Sequence, residues 1–261
     1  MFSSAYPGPV VLFLLAAGLM VCMLAAMEIG WRRGNRRVLR DPEGAEKGTT
    51  TTDSAVFALF GLLLAFTFSG AAQRFVDRRD LINDEANAIG TAYLRTSLLP
   101  ADAQPALRAL YRHYVEVRLK APAVAMENGI DETPEVQNQI WKLTIDALQQ
   151  REGQPIVQSV LDPVNEMFDI TSTRLLASRT HPPAFIYLLL VGMSLICGFL
   201  GGYNMGVSRR RHVLHAIAFS VCISSVIYLI IDVEFPRVGL IQVGYADNVL
   251  LNLLSSMPPV R

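Results

Sequence analysis

Charged side chains gather at the ends of two apolar runs, and their types admit two kinds of chemistry. Arg74, Arg78, Arg79, Asp80, Asp84 and Glu85, with Asn87 just beyond, follow a run that ends near Ala72. Asp232, Glu234 and Arg237 follow another that ends near Ile231. Opposite charges at one level of a low-dielectric boundary attract strongly, so one outcome is a set of ion pairs that pins two helices together. The other is an ion vestibule, in which Asp80, Asp84, Glu85, Asp232 and Glu234 offer hard carboxylate oxygens to a cation. Asn87, Thr91 and Arg95 then recur every four residues, a polar stripe that either lines water or bonds to neighbouring helices.

Inside the first of these runs a second pattern stands out. Phe60, Leu64 and Phe68 share one helix face at four-residue spacing, and Gly61, Ala65 and Ser69 share the adjacent face. Copies of such a helix around an axis can pack through the small residues and turn the large ones toward a narrow, water-poor constriction. The plainer alternative is that Phe60, Leu64 and Phe68 meet lipid or other helices.

Catalytic constellations are missing. There is no Gly-rich phosphate loop, no His-Glu-x-x-His helix and no Gly-x-Ser-x-Gly elbow. Cys22, Cys197 and Cys222 all fall in apolar runs, where a thiol packs as a small hydrophobe. His212 and His215 lie beside Arg209, Arg210 and Arg211, which repel a cation, so no metal site is expected there. The expectation is a protein without catalysis, cofactor or metal. Gly198, Gly201 and Gly202 lack a preceding strand and point to close helix packing rather than nucleotide binding.

The elements that must position these residues are helices. Four apolar stretches, Val10–Met27, Ser54–Ala72, Phe185–Tyr203 and Val213–Ile231, are each about long enough to cross a bilayer core of roughly 30 Å. Hydrophobic residues make up 51% of the chain, charged residues only 18%, and the mean hydropathy is +0.32, an excess concentrated in those stretches. Equal counts of basic and acidic residues, 23 each, give no net attraction to nucleic acid. The expected partners are instead membrane lipid, further copies of the chain and small inorganic ions.

No charge precedes the first stretch, whereas Arg32, Arg33, Arg36, Arg37 and Arg40 follow it, the reverse of a cleaved signal peptide. The positive-inside rule then puts the Arg32–Asp53 loop and the Arg209–His212 loop on the cytoplasmic side of a cell inner membrane. Both termini and the segment 73–183 fall on the periplasmic side, although Arg74, Arg78 and Arg79 favour the opposite sense.

The fold class expected is all-α: 1–72 with two membrane helices, 73–183 as an extramembrane helical bundle, 184–231 with two more spans, and 232–261 as a boundary motif and short helix. A Thr-rich run caps the second helix, and no proline interrupts it until Pro100, so one helix runs from the membrane through Arg95. Asp102 with Pro105 opens an amphipathic helix closed by Pro122, and Thr133-Pro134 opens another that ends at Gly153. One more begins near Pro155, with a kink or restart at Asp162-Pro163. A short amphipathic helix is expected from Asp247 to Met257.

The stretch Phe60-Gly-Leu-Leu-Leu-Ala-Phe-Thr-Phe-Ser-Gly-Ala-Ala, then Arg78-Arg, Asp84-Glu-Ala-Asn-Ala-Ile-Gly-Thr-Ala-Tyr-Leu-Arg and Asp232-Val-Glu-Phe-Pro-Arg-Val-Gly-Leu-Ile, resembles the bacterial bestrophin-like family of membrane proteins (the DUF4239 domain). The resemblance covers most of the chain from the second span onward, and it extends distantly to the bestrophins. It implies a homo-oligomeric ion channel, a pentamer, whose second helix lines a hydrophobic neck matched here by Phe60, Leu64 and Phe68. Bestrophins keep their helical domain and termini in the cytoplasm, opposite to the arginine count above. Their acidic calcium-binding cluster has no counterpart, so anion selectivity and calcium gating are not carried over. A membrane-anchored scaffold or sensor, whose helical domain binds a partner and which has no pore, is the alternative.

Overall fold

The computed structural model describes residues 9–40, 50–120, 132–149, 154–235, 240 and 244–258. Eight α-helices follow one another among them: α1 (Pro9–Arg40), α2 (Thr50–Arg95), α3 (Gln104–Lys120), α4 (Thr133–Gln149), α5 (Gln154–Arg179), α6 (Ala184–Val207), α7 (Val213–Glu234) and α8 (Gly244–Ser256). A 3-10 turn at Thr96–Leu98 follows α2, and no strand occurs among the described residues. Four helical stretches, which include α1, α2, α6 and α7, are long and apolar enough to span a bilayer. The chain is an all-α, multi-pass membrane protein.

The chain divides into two compact units, Met1–Phe75 with His181–Gln242, and Val76–Thr180 with Val243–Arg261. In the first, α1 and α6 run side by side in the same direction, held apart only by glycines. A Cβ added at Gly202 would stand 2.0 Å from the Met27 carbonyl oxygen, and one at Gly30 would stand 2.1 Å from that of Phe199. Gly34 and Gly206 are equally closed, against Tyr203 and Trp31. In lipid no hydrophobic drive brings helices together, so such backbone proximity, with its dense van der Waals contact, supplies the attraction. Close helix packing is thus seen at Gly202 and, with the Met23 carbonyl oxygen 3.2 Å from an added Cβ, at Gly198, whereas Gly201 meets side chains only at ordinary contact distance.

The rest of that unit's core joins α2 to α6 and α7. Phe60, Leu64 and Ala71 pack with Leu190, Cys197, Ile227 and Ile230. At the other end of the helix, Asp53 lies in the first turn of α2, where a carboxylate suits the helix dipole, and accepts a 3.0 Å bond from Asn204 Nδ2.

The second unit is a helical bundle. Its core takes Ile82, Ala86 and Ile89 from α2, Leu107, Tyr111 and Tyr114 from α3, Val136 and Ile140 from α4, Val164 and Met167 from α5, and Leu250 from α8. Inside it Thr171 Oγ1 donates to the Met167 carbonyl at 2.9 Å, so the 2.8 Å contact with Tyr114 is a bond donated by the phenol. The end of α8 is capped by Arg112, whose Nη1 donates to the carbonyls of Leu254 and Met257 at 3.3 and 2.6 Å.

Pro163 does not end its helix: α5 continues through it to Arg179. A proline lacks the N–H that would bond the carbonyl four residues back, here Ser159. Arg95 Nη1 donates to that same carbonyl. The cost of a mid-helix proline is thus offset by a cation from α2, which also assigns Arg95 of the polar stripe to helix bonding rather than to water.

This pairing predicts coupling. Arg95→Ala should destabilise the protein in detergent melts, and less so in a Pro163→Ala background, where the helix bond to Ser159 is restored. A coupling of about 0.5–1.5 kcal/mol in the double-mutant cycle is expected; strict additivity would mean that Arg95 does not compensate for the proline.

Candidate functional site

The boundary charges do not form one cluster. In the first unit, α2 delivers Arg74 and α7 delivers Glu234, fully buried at the last position of its helix. Arg74 grips the carboxylate through two nitrogens: Nε lies 3.2 Å from Oε1 and 2.9 Å from Oε2, and Nη2 lies 2.7 Å from Oε2. Such charge-assisted, two-point contacts fix geometry as well as adding energy. His181 Nδ1 approaches Oε1 at 3.0 Å, and its ring stacks on Phe235 with centroids 4.5 Å apart. Asp232, also buried, accepts the Leu240 N–H at 2.8 Å. Arg237 lies outside the described residues.

In the second unit, Arg78 caps the end of α5, donating to the carbonyls of Ala177 and Thr180 at 3.1 and 3.0 Å. Glu85 is fully buried and is held by two guanidinium groups, Arg118 Nε at 2.6 Å from Oε1 and Arg174 on Oε2. Arg79, Asp80, Asp84 and Asn87 are exposed, with Arg79 Nη2 3.8 Å from Asp80 Oδ1. Of the carboxylates proposed for a vestibule, then, Glu85, Asp232 and Glu234 are committed to internal partners. Asp80 and Asp84 are open to solvent.

Within the single chain the two faces of the second span are packed differently. Phe60 is 2% exposed and Leu64 8%, both covered by their own chain, and Phe68 is 39% exposed. Gly61, Ala65 and Ser69, expected to pack against further copies of the helix, are exposed on the single chain, and a Cβ at Gly61 would meet nothing within 4 Å. Phe60 and Leu64 fill the space against α6 and α7, where they gain dense van der Waals contact. Leu62 and Phe66 stand on the exposed side as well.

Sequence reasoning missed Arg118, Arg174 and His181. Arg118 carried a signal, since it continues the core spacing of Leu107, Tyr111 and Tyr114 along α3. Glu85 carries the same signal beside Ile82 and Ile89. A charge on a core-facing stripe has to be met by an opposite charge from another element. No group of three or more His, Cys, Asp or Glu side chains able to hold a metal occurs among the described residues.

Breaking a buried pair leaves an uncompensated charge, so Arg74→Ala and Glu85→Ala should each cost about 3–5 kcal/mol, visible as a lower melting temperature in detergent. Asp80→Ala and Asp84→Ala should change the melting temperature little. Equal effects in all four variants would remove the distinction between internal pairs and open carboxylates.

The Bestrophin-like domain profile matches residues 32–247, most of the chain. Two crystal structures of a bacterial bestrophin homologue from Klebsiella pneumoniae, each with a different single substitution, share the fold. One gives a TM-score of 0.68 at 16% identity, covering 92% of this chain and 99% of the homologue, and the other 0.66 at 17%, covering 91% and 98%. A crystal structure described only as a membrane protein variant is equally similar, at a TM-score of 0.68 and 16% identity, covering 93% of this chain and 97% of its own. No curated protein matches the sequence. The chain, with its four membrane-spanning helices and the motifs of its second span, belongs to the Bestrophin-like family.

Proposed function

We propose that copies of this chain assemble into a symmetric ring, with five subunits as the family resemblance suggests, that conducts small ions along an axis lined by α2. The observation that carries the reading is the division of that helix into a covered face and an open one. Phe60 and Leu64 are occupied by the protomer's own core, whereas Ala58, Gly61, Leu62, Ala65 and Ser69 are exposed. Large apolar side chains suited to lipid are exposed on α1 and α6, such as Phe13, Leu14 and Leu188, and on the flank of α2 at Leu59 and Phe66. A face on which, apart from Leu62, the side chains are small or hydroxyl-bearing suits close approach of neighbouring backbones or a water-bearing passage better than it suits acyl chains. Phe68, half-exposed at the edge of that face, is the member of the aromatic-leucine trio able to reach the passage.

Conduction in planar bilayers tests this directly. With Cys22, Cys197 and Cys222 replaced by alanine, Ala65→Cys should lose most of its current to a water-soluble thiol reagent, and Leu64→Cys should not. Phe68→Ala should alter the current through each channel. Bilayers silent in every salt and voltage would favour the scaffold reading, whereas block through Leu64→Cys alone would keep a passage but turn the opposite face of α2 toward it.

We further infer that the arginine-rich end, with Arg32 to Arg40 of α1 and Arg209 to Arg211 after α6, faces the cytoplasm. Of Arg74, Arg78 and Arg79, which favour the opposite sense, the first two are engaged by a carboxylate and by backbone carbonyls, and Arg79 lies exposed beside Asp80. In intact cells a membrane-impermeant maleimide should label Asn138→Cys and leave Ser208→Cys unlabelled. The reverse pattern would invert the orientation.

A further inference from the structure

At the arginine-rich end of the first unit, a cleft of about 290 Å³ opens between α1 and α7, with Leu24, Met27, Ala216 and Ile217 among its apolar lining. Trp31, Glu28 and Arg211 contribute to the same cleft. Arg211 is held there from two sides: its Nη2 lies 2.6 Å from Glu28 Oε2, and its guanidinium carbon lies 4.7 Å above the Trp31 ring. Glu28 also accepts a 2.8 Å bond from Arg32 Nε, so two cations share one carboxylate and the group keeps a net positive charge. Arg211 remains 55% exposed, leaving donors of its planar fork free of Glu28.

The backbone contributes to this placement. Arg209 adopts φ 52°, in the left-handed region where a side chain is disfavoured, at the turn that closes α6. Arg33, Arg36 and Arg37 on α1 and Arg210 on the loop, all exposed, surround the cleft's end of the unit with further positive charge. Trp31 stands just beyond the apolar run of α1, at the depth where aromatic rings meet lipid headgroups.

We propose that this cleft binds one anionic phospholipid: its phosphate on Arg211, with Trp31 and Glu28 fixing the guanidinium, and the upper part of an acyl chain against Leu24, Met27, Ala216 and Ile217. The cleft is at the lower end of small-molecule pockets, large enough for the glycerol-phosphate region and the start of a chain but not for a whole lipid. The remainder of the chain then lies in the bilayer beside α1 and α7. Charge selects phosphatidylglycerol over zwitterionic phosphatidylcholine, since basic side chains at a membrane surface attract anionic lipid. Conduction through α2 is not a premise of this site.

The chain has two tryptophans, so Trp141→Phe leaves Trp31 as the sole tryptophan, excited selectively to the red of tyrosine absorption. In phosphatidylcholine vesicles, phosphatidylglycerol with brominated acyl chains should quench Trp31 about fivefold more effectively per mole than brominated phosphatidylcholine. Arg211→Gln should bring that ratio close to one, Arg210→Gln should keep most of it, and added inorganic phosphate should leave it unchanged. Equal quenching by the two lipids overturns the proposal, and this comparison needs no Arg211 variant. It is also overturned if Arg210→Gln and Arg211→Gln act alike, which means diffuse attraction, or if inorganic phosphate abolishes the preference, which means a site for a free anion.

Discussion

The face of α2 that carries Phe60, Leu64 and Ala71 is buried against Leu190, Cys197, Ile227 and Ile230, and the functional reading follows from that constraint. A helix can satisfy one partner with a given stripe of side chains. With the bulky stripe committed inside the protomer, what remains for a neighbouring subunit, lipid or water is the stripe of Ala58, Gly61, Ala65 and Ser69 with Leu62 among them. The same packing needs α6 to be fixed, and the glycine contacts with α1 fix it. Gly202 against Met27 and Gly30 against Phe199 leave no room for sliding, because backbone cannot move aside as a side chain can.

Two buried glutamates serve a parallel purpose, one in each unit. Glu234 is gripped by Arg74 with His181 alongside, and Glu85 by Arg118 and Arg174. Burying such charges costs several kcal/mol each, which mutual attraction repays only with good geometry and multiple hydrogen bonds. What they contribute above all is specificity: a helix that slides or rotates out of register strands a charge. Asp80 and Asp84, in contrast, are exposed and bear no such duty.

Much of this fold can be read from residue order. Apolar runs of bilayer length, the proline-free stretch to Arg95 and the Thr133-Pro134 start each rest on local physics, and the helices follow them. Local patterns fail where a partner from a distant part of the chain decides. Spacing shows that Phe60 and Leu64 share a face but not which neighbour that face meets, and their contact with α6 and α7 is decided by residues far along the chain. Pro163 reads as a break because the cation that satisfies Ser159 lies 64 positions away, on α2. Arg74 and Glu234 were legible as opposite charges near one boundary, while the second partner, His181, carried no local signal. Arg118 and Glu85 carried one, a charge on a core-facing stripe, which outweighs their look of ordinary surface residues.

The central claim is that the small-residue face of α2 looks inward on a ring of identical subunits. A structure of the intact assembly in lipid tests it most directly. The account predicts a closed ring with Ala65 and Ser69 directed at a central passage and Phe60 and Leu64 still covered by their own subunit. A monomer, or a ring in which Ala65 and Ser69 contact acyl chains and no passage runs along the axis, would contradict it.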